Sequence, residues 1–214
     1  KELAPIQFSG RYNSVNDSIA IKGKMPKLVY GNQTISNADL NISTIDNALN
    51  YSITIDDIQN PQMQLPFTLL SGKVANNQID YALQLKDNKD KERYFLAGNV
   101  TTSQGNTLLH LDKNVLLNYE NWQIPENNQI VSTPKGLIIS DFKLEHEGRS
   151  ISVQSQTPNA NAPIALAFEN FDIQTLSSMV EKDDWQMSGK INGTAVVKNI
   201  ATQPLFTSDI KIDA

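Results

Sequence analysis

The sequence contains no cysteine among its 214 residues. This absence excludes disulfide bonds, thiolate metal sites and cysteine nucleophiles together. There are only two histidines, His110 and His146, and neither has a neighbour at the spacing of a metal ligand. A histidine-based zinc site is therefore not expected, and each histidine is expected to have an ordinary role in a strand or on the surface.

Long apolar runs are also missing. The longest, such as residues 65–70 and 136–139, fall far short of the roughly 20 residues that a membrane-spanning helix needs. Lys1-Glu2-Leu3 does not begin a signal peptide, so an export or anchor segment would have been removed from this chain. The net charge of −5 and the lack of a basic patch argue against nucleic acid as a partner.

Catalytic motifs are absent as well. The sequence has no GxSxG, no GxGxxG and no Walker loop. The adjacent carboxylates Asp56 and Asp57 would point to opposite faces of a strand. Asp87, Asn88 and Asp90 lack the glycine and the glutamate spacing of a calcium loop. These absences predict a protein that is not an enzyme and has no cofactor.

What the sequence does contain is alternation of apolar and polar residues with a period of two. The pattern is clear in residues 51–56, 79–86 and 190–198. It is typical of antiparallel strands that have one apolar face and one face in solvent. We therefore predict an all-β fold with an elongated, curved antiparallel sheet shaped like a trough. The alternative is a closed β-sandwich, whose apolar faces are all internal.

One short helix is expected near residues 172–182. Asp172 is a suitable N-cap, and Ile173, Leu176 and Val180 have helical spacing. The alternation then resumes and continues to the end of the sequence without a stop signal. This pattern predicts that the chain is a fragment of a larger protein.

A loose repeat links distant parts of the chain. The order serine, glycine, basic residue, apolar residue begins at Ser9, Ser71 and Ser188. Its irregular spacing disfavours a short-period solenoid, whereas duplicated hairpins in a long sheet fit it, as does coincidence. The loops are too short to link separate domains. We therefore expect one continuous β architecture over residues 1–214, with sub-units 1–117 and 118–214 as a possible division.

The predicted strands carry more apolar surface than one short helix can cover. A sandwich would bury this surface internally, while an open groove would offer it to lipid acyl chains. Each methylene group that a lipid buries contributes about 0.8 kcal/mol. The candidate groove residues, taken from the alternating strands of the second half, are Ile138, Phe142, Leu144, Ile191, Val197, Phe206, Ile210 and Ile212.

The second half of the chain resembles the TamB-like proteins of Gram-negative bacteria. These are the inner-membrane-anchored subunits of the translocation and assembly module, and they are related to the AsmA group. The first half is similar only in its general pattern of strands. The resemblance rests on the order of the segments at residues 122–128, 135–139, 141–144, 150–153, 171–173, 188–193 and 204–206.

This resemblance implies a long periplasmic protein with an N-terminal anchor in the inner membrane, built from stacked β units that form an apolar trough. It implies a role in phospholipid transport between the inner and outer membranes, in outer-membrane protein assembly, or in both. The implied partners are phospholipid acyl chains in the groove and an Omp85-type barrel that binds regions absent from this chain. The alternative function is that of a structural or adhesive β-sandwich without a lipid groove.

Overall fold

The computed structural model describes residues 2–61, 64–177, 188–200 and 203–213. Within these residues the protein is all-β, and its antiparallel sheet is open. The predicted all-β, open antiparallel fold is confirmed, and the closed β-sandwich is not the fold of this chain. Contacts divide the chain into two compact units, whose boundary lies between Ala97 and Gly98. The prediction of one continuous architecture with sub-units 1–117 and 118–214 stays a prediction.

Unit 1 is a meander in which each long strand pairs with the next one along the chain. The strands at residues 2–3 and 7–13 both pair with the strand at residues 18–30, in a single register. The sheet then continues in chain order through the next four strands. The strands are β1 (Glu2–Leu3), β2 (Gln7–Asn13), β3 (Ser18–Tyr30), β4 (Gln33–Ile45), β5 (Ala48–Gln59), β6 (Gln64–Ala75), β7 (Gln78–Lys86) and residues 92–97 of β8 (Glu92–Ser103).

Five hairpins of the described chain have two-residue loops in which both residues have positive φ. Such loops are type I′ turns, whose twist matches that of the flanking strands. Asparagine and glycine suit them because both tolerate the left-handed conformation. The asparagine-rich sequence therefore serves the turns. The loops are residues 46–47, 76–77, 104–105, 118–119 and 147–148.

Asn47→Gly is expected to raise the free energy of unfolding by about 0.5 kcal/mol, because Asn47 has a φ of 59° and Asp-Gly is a preferred I′ pair. The control is Asn47→Val, which places a β-branched residue at the same φ and should cost about 1–2 kcal/mol. Urea titrations followed by circular dichroism measure both changes. Equal stability of the two variants would contradict the turn assignment.

Unit 2 contains two antiparallel ladders. In the first, residues 98–103 of β8 pair with β9 (Asn106–Leu111), β9 pairs with β12 (Gln129–Thr133), and β12 pairs with β13 (Gly136–Ser140). In the second ladder each strand pairs with the next one in the order given below. Its strands are β10 (Asn114–Leu117), β11 (Glu120–Gln123), β14 (Phe142–His146), β15 (Arg149–Ser155), β16 (Ile164–Asp172), β17 (Lys190–Lys198) and β18 (Leu205–Asp213).

The predicted groove groups Ile138 with Phe142 and Leu144, but the structure places Ile138 on β13 and the other two on β14. The reason is Asp141, whose φ of 52° interrupts the extended backbone between the two strands. Ile138 therefore belongs to a different ladder from Phe142 and Leu144.

The helix α1 spans Ile173–Ser177 and begins where the sequence predicted. The Asp172 side chain accepts a hydrogen bond from the Gln174 backbone N–H at 2.9 Å, which is the interaction of an N-cap. Val180 and the predicted end of the helix at residue 182 lie outside the described residues.

Unit 2 holds most of the buried core. Trp122 is fully buried, and its ring centroid lies 5.6 Å from that of Phe171 and 5.5 Å from that of His146. The Arg149 guanidinium lies 5.5 Å from the Trp122 ring and donates a hydrogen bond to Glu120 at 2.8 Å. His146 was expected to have an ordinary strand or surface role, and in the structure it packs on the core.

A buried asparagine replaces a strand partner in unit 2. The Asn128 side chain accepts a hydrogen bond from the Leu111 N–H at 2.9 Å and donates one to the Leu111 carbonyl at 2.8 Å. It also donates to the Pro125 carbonyl at 2.6 Å. Because this buried amide is hydrogen-bonded in place, it closes the end of β9.

Candidate functional site

The meander of unit 1 separates apolar from charged residues between its two faces. One face is formed by every second residue of segments 8–12, 19–25, 38–44, 49–55, 68–74 and 79–85, starting from the first residue of each. None of these residues is charged. We call this surface the apolar face of unit 1. One row across its six strands consists of Phe8, Gly23, Leu40, Ile53, Leu70 and Leu83.

The charged residues of the same strands occupy the opposite positions. Lys24 pairs with Asp39 at 3.4 Å, and Lys73 pairs with Asp80 at 3.5 Å. Since successive residues of a strand point to opposite faces, these pairs lie on the face away from the apolar one. The two sides of this sheet therefore differ in chemical character, one being apolar and the other charged.

No residue of the apolar face of unit 1 is fully buried. Phe8 and Tyr12 are 69% and 63% exposed, and most of the other members are half-buried. Tyr94 on β8 is the one fully buried hydrophobic residue among the described residues of unit 1. A contiguous apolar surface without a fully buried member is a feature of binding faces.

The polar atoms of two tyrosines on this face are occupied. The Tyr51 hydroxyl donates to the Asp80 carbonyl at 3.1 Å, and burial, followed by the charge of Asp80, raises the pKa of Tyr51. The Tyr12 hydroxyl donates to Asp17 at 2.7 Å, and this hydrogen bond raises the pKa of Tyr12. Both tyrosines therefore keep their protons and add largely apolar surface.

The glycine of the sequence repeat has a defined place on this face. Gly10 and Gly72 lie in one cross-strand row, in the order Gly10, Ile21, Ile42, Tyr51, Gly72. A Cβ atom on Gly72 would lie 1.9 Å from the Asp80 carbonyl oxygen and 2.8 Å from the Tyr51 hydroxyl. Gly72 thus leaves room for Tyr51 to lie across the neighbouring strand. Gly189, from the third copy of the repeat, comes before β17 begins.

Unit 2 has a second apolar face, across β14 to β18, which we call the apolar face of unit 2. One row consists of Leu144, Ile151, Phe168, Gly193 and Ile210. Seven of the eight predicted groove residues have positions on this face, and Ile138 lies on β13 in the other ladder. The seven are Phe142, Leu144, Ile191, Val197, Phe206, Ile210 and Ile212.

Exposure on the apolar face of unit 2 increases towards β18. Ile164 and Phe171 on β16 are fully buried. Phe206 and Ile212 on β18 are 72% and 60% exposed. On the opposite side of β18, the hydrogen bond from Lys211 holds the pKa of Asp213 below its usual value. The open part of this face is therefore the β17–β18 hairpin.

The predicted residues did not include the apolar face of unit 1, although its pattern was visible in the sequence. The alternation at residues 51–55 and 79–85 predicts strands but does not by itself indicate a site. The missing information was the register, because only the strand pairing shows that six apolar stripes lie side by side.

The described residues contain no group of three or more His, Cys, Asp or Glu side chains that could hold a metal ion. The His110 ring contacts the Glu126 carbonyl at 2.8 Å, and the His146 ring contacts the Asn121 carbonyl at 2.7 Å. Both rings thus bind backbone groups. In the part of the chain that the structure describes, no helix has the length and apolar character required to cross a membrane.

These features define an open, antiparallel all-β protein with apolar sheet faces that are covered only in part. No family model matches the chain, and searches of curated proteins and of solved structures find no match either. The resemblance to TamB-like proteins therefore stays a prediction.

Proposed function

We propose that this chain is a non-enzymatic periplasmic segment that shields phospholipid acyl chains on its apolar sheet faces. The observation that carries the proposal is the apolar face of unit 1, which has no charged member and no fully buried one. Ten methylene groups buried on such a surface would contribute about 8 kcal/mol before the costs of binding. Acyl chains are the ligand that needs a broad apolar surface and few polar contacts.

The biological setting of the proposal follows from the TamB-like resemblance. We assign to the protein a role in phospholipid transport between the inner and outer membranes, in outer-membrane protein assembly, or in both. The inner-membrane anchor and the contact with an Omp85-type barrel are assigned to regions outside this chain. The open β17–β18 hairpin of unit 2 adds to the apolar surface that this role needs.

The test compares two neighbouring leucines of β6. Leu70 belongs to the apolar face of unit 1, and Leu69 points to the opposite face. Lipid extraction and native mass spectrometry of protein purified from cells should show bound phospholipid. Leu70→Asp should reduce the bound amount at least tenfold, because a carboxylate in the apolar face would be desolvated by the acyl chain. Leu69→Asp should bind as much as the unchanged protein.

A photo-crosslinking residue locates the contact in unit 2. Placed at Ile210, on the apolar face, it should label lipid, whereas at the adjacent Lys211 it should not. Circular dichroism confirms that each variant is folded. Absence of lipid from the unchanged protein, or equal lipid in the two leucine variants, would contradict the proposed function and favour a purely structural role.

A further inference from the structure

One cross-strand row of unit 1 is not paired. It has one residue in each of five neighbouring segments, and none of these residues pairs with the next in the described ladders. On both sides of this row the strands are paired, and the register is the same on the two sides. The interruption therefore lies at the same level in every strand and leaves the pairing register unchanged. Its members, which we call the crease, are Pro5, Pro26, Asn37, Asp56 and Phe67.

The local chemistry of the crease accounts for the interruption. Pro5 and Pro26 have no backbone N–H to donate to a neighbouring strand. Asn37 has a φ of 50°, which is outside the extended region that a ladder needs. Asp56 and Phe67 continue the same row in β5 and β6.

The crease also coincides with a change in the alternation. Beyond it, the apolar residues Leu28, Ile35, Ile58 and Leu65 form a row of their own. Strict alternation would place this row on the charged face. Asn37 departs from extended geometry. One such residue per strand, as in a β-bulge, would shift the alternation by one and place the row on the apolar face. We call these four residues the outer panel.

Among the described residues, the side-chain contacts of the crease do little to oppose bending. Asn37 donates a hydrogen bond to Asp56 at 3.0 Å, at an exposed position. The Lys86 ammonium lies 4.9 Å from the Phe67 ring centroid. Both contacts join neighbouring strands along the row and do not connect its two sides. A row without ladder pairs, whose side-chain contact at Asn37 and Asp56 is exposed, is where a sheet is expected to flex.

We propose that the crease is a hinge about which the outer panel changes its angle to the rest of the apolar face of unit 1. Motion at the hinge opens and closes that face. The residues at the crease absorb the backbone change, while the ladders on either side move as rigid bodies. The inference does not depend on lipid as the ligand, and its test contains no lipid, so its failure is distinct from failure of the proposed function.

Spin labels on β4 test the hinge in the whole chain. Because the protein has no cysteine, introduced cysteines are the only labelling sites. The pair Gln33→Cys with Asp39→Cys straddles the crease, and the control pair Asp39→Cys with Ile45→Cys does not. Both pairs are six residues apart, or about 20 Å. Gln33 and Ile45 each end β4 beside a two-residue turn. Since the shift in alternation places Gln33 and Asp39 on opposite faces, the widths of the two distributions are compared and not their mean distances.

Double electron–electron resonance should give a distance distribution at least twice as wide for the straddling pair as for the control pair. Equal widths would show a fixed bend and overturn the proposal. A second measurement uses the unlabelled protein: backbone amides at Ser36 and Ala38, which flank the crease in β4, should exchange hydrogen at least tenfold faster than those at Asn41 and Ile42. Comparable exchange in the two places would also overturn it.

Discussion

Trp122→Ala is expected to lower the free energy of unfolding by about 3–5 kcal/mol, which is the largest effect of any single substitution considered for this protein. Trp122 is fully buried and has the largest side chain of the unit 2 core. Its ring packs on Phe171 and His146, and Arg149 lies over it. Truncation would leave a cavity that joins β11, β14 and β16.

The control for this prediction is Trp122→Phe. Among the described residues the Trp122 indole nitrogen has no hydrogen-bond partner, so phenylalanine would lose packing volume without leaving an acceptor there unpaired. We expect a cost below about 1.5 kcal/mol. Urea unfolding followed by circular dichroism measures both variants. A cost below about 1 kcal/mol for Trp122→Ala would show that this cluster does not hold unit 2 together.

Gly72→Ala is expected to destabilise the protein by about 1–3 kcal/mol, the usual cost of forcing an added group into an occupied space. The new methyl group would meet the Asp80 carbonyl oxygen, which belongs to the backbone and moves only with β7. It would also displace the Tyr51 hydroxyl from its hydrogen bond to that carbonyl. The local register of β6 and β7 would therefore be disturbed.

Gly10→Ala is the matched control, because Gly10 lies in the same row and on the same face as Gly72. A Cβ atom on Gly10 has no neighbour closer than 4.0 Å. We expect its effect on stability to stay within about 0.5 kcal/mol. Thermal unfolding of the two variants side by side makes the comparison. If the two variants are equally stable, the glycine at position 72 is not needed to make room for the Asp80 carbonyl and the Tyr51 hydroxyl.

The strands and the start of the helix could be predicted because each depends on local signals. Alternation with a period of two located β5, β7 and β17, and the side chain of Asp172 indicated where α1 begins. The break at Asp141 could not be predicted in this way. A left-handed aspartate has no distinctive neighbour in the sequence, so Ile138 was grouped with residues of another ladder.

The candidate site was predictable only in part, because register is a property of strand pairs. Residues close in sequence, such as those of β17 and β18, share a hairpin, and their common face followed from alternation. The Trp122 cluster joins β11 to β16 and depends on contacts between residues far apart in the chain. The crease likewise has one member per strand, and no single segment shows it.

The separation of the two faces of unit 1 has a consequence for how this chain tolerates change. In a tightly packed interior each side chain must fit the shape of its neighbours. The apolar face of unit 1 has no fully buried member, so exchanging one aliphatic residue for another there alters little beyond its area. The stability of such a face therefore depends on where apolar residues stand along each strand and little on which aliphatic residue stands there. Gly72 is an exception, because a side chain at this position would meet the backbone of β7.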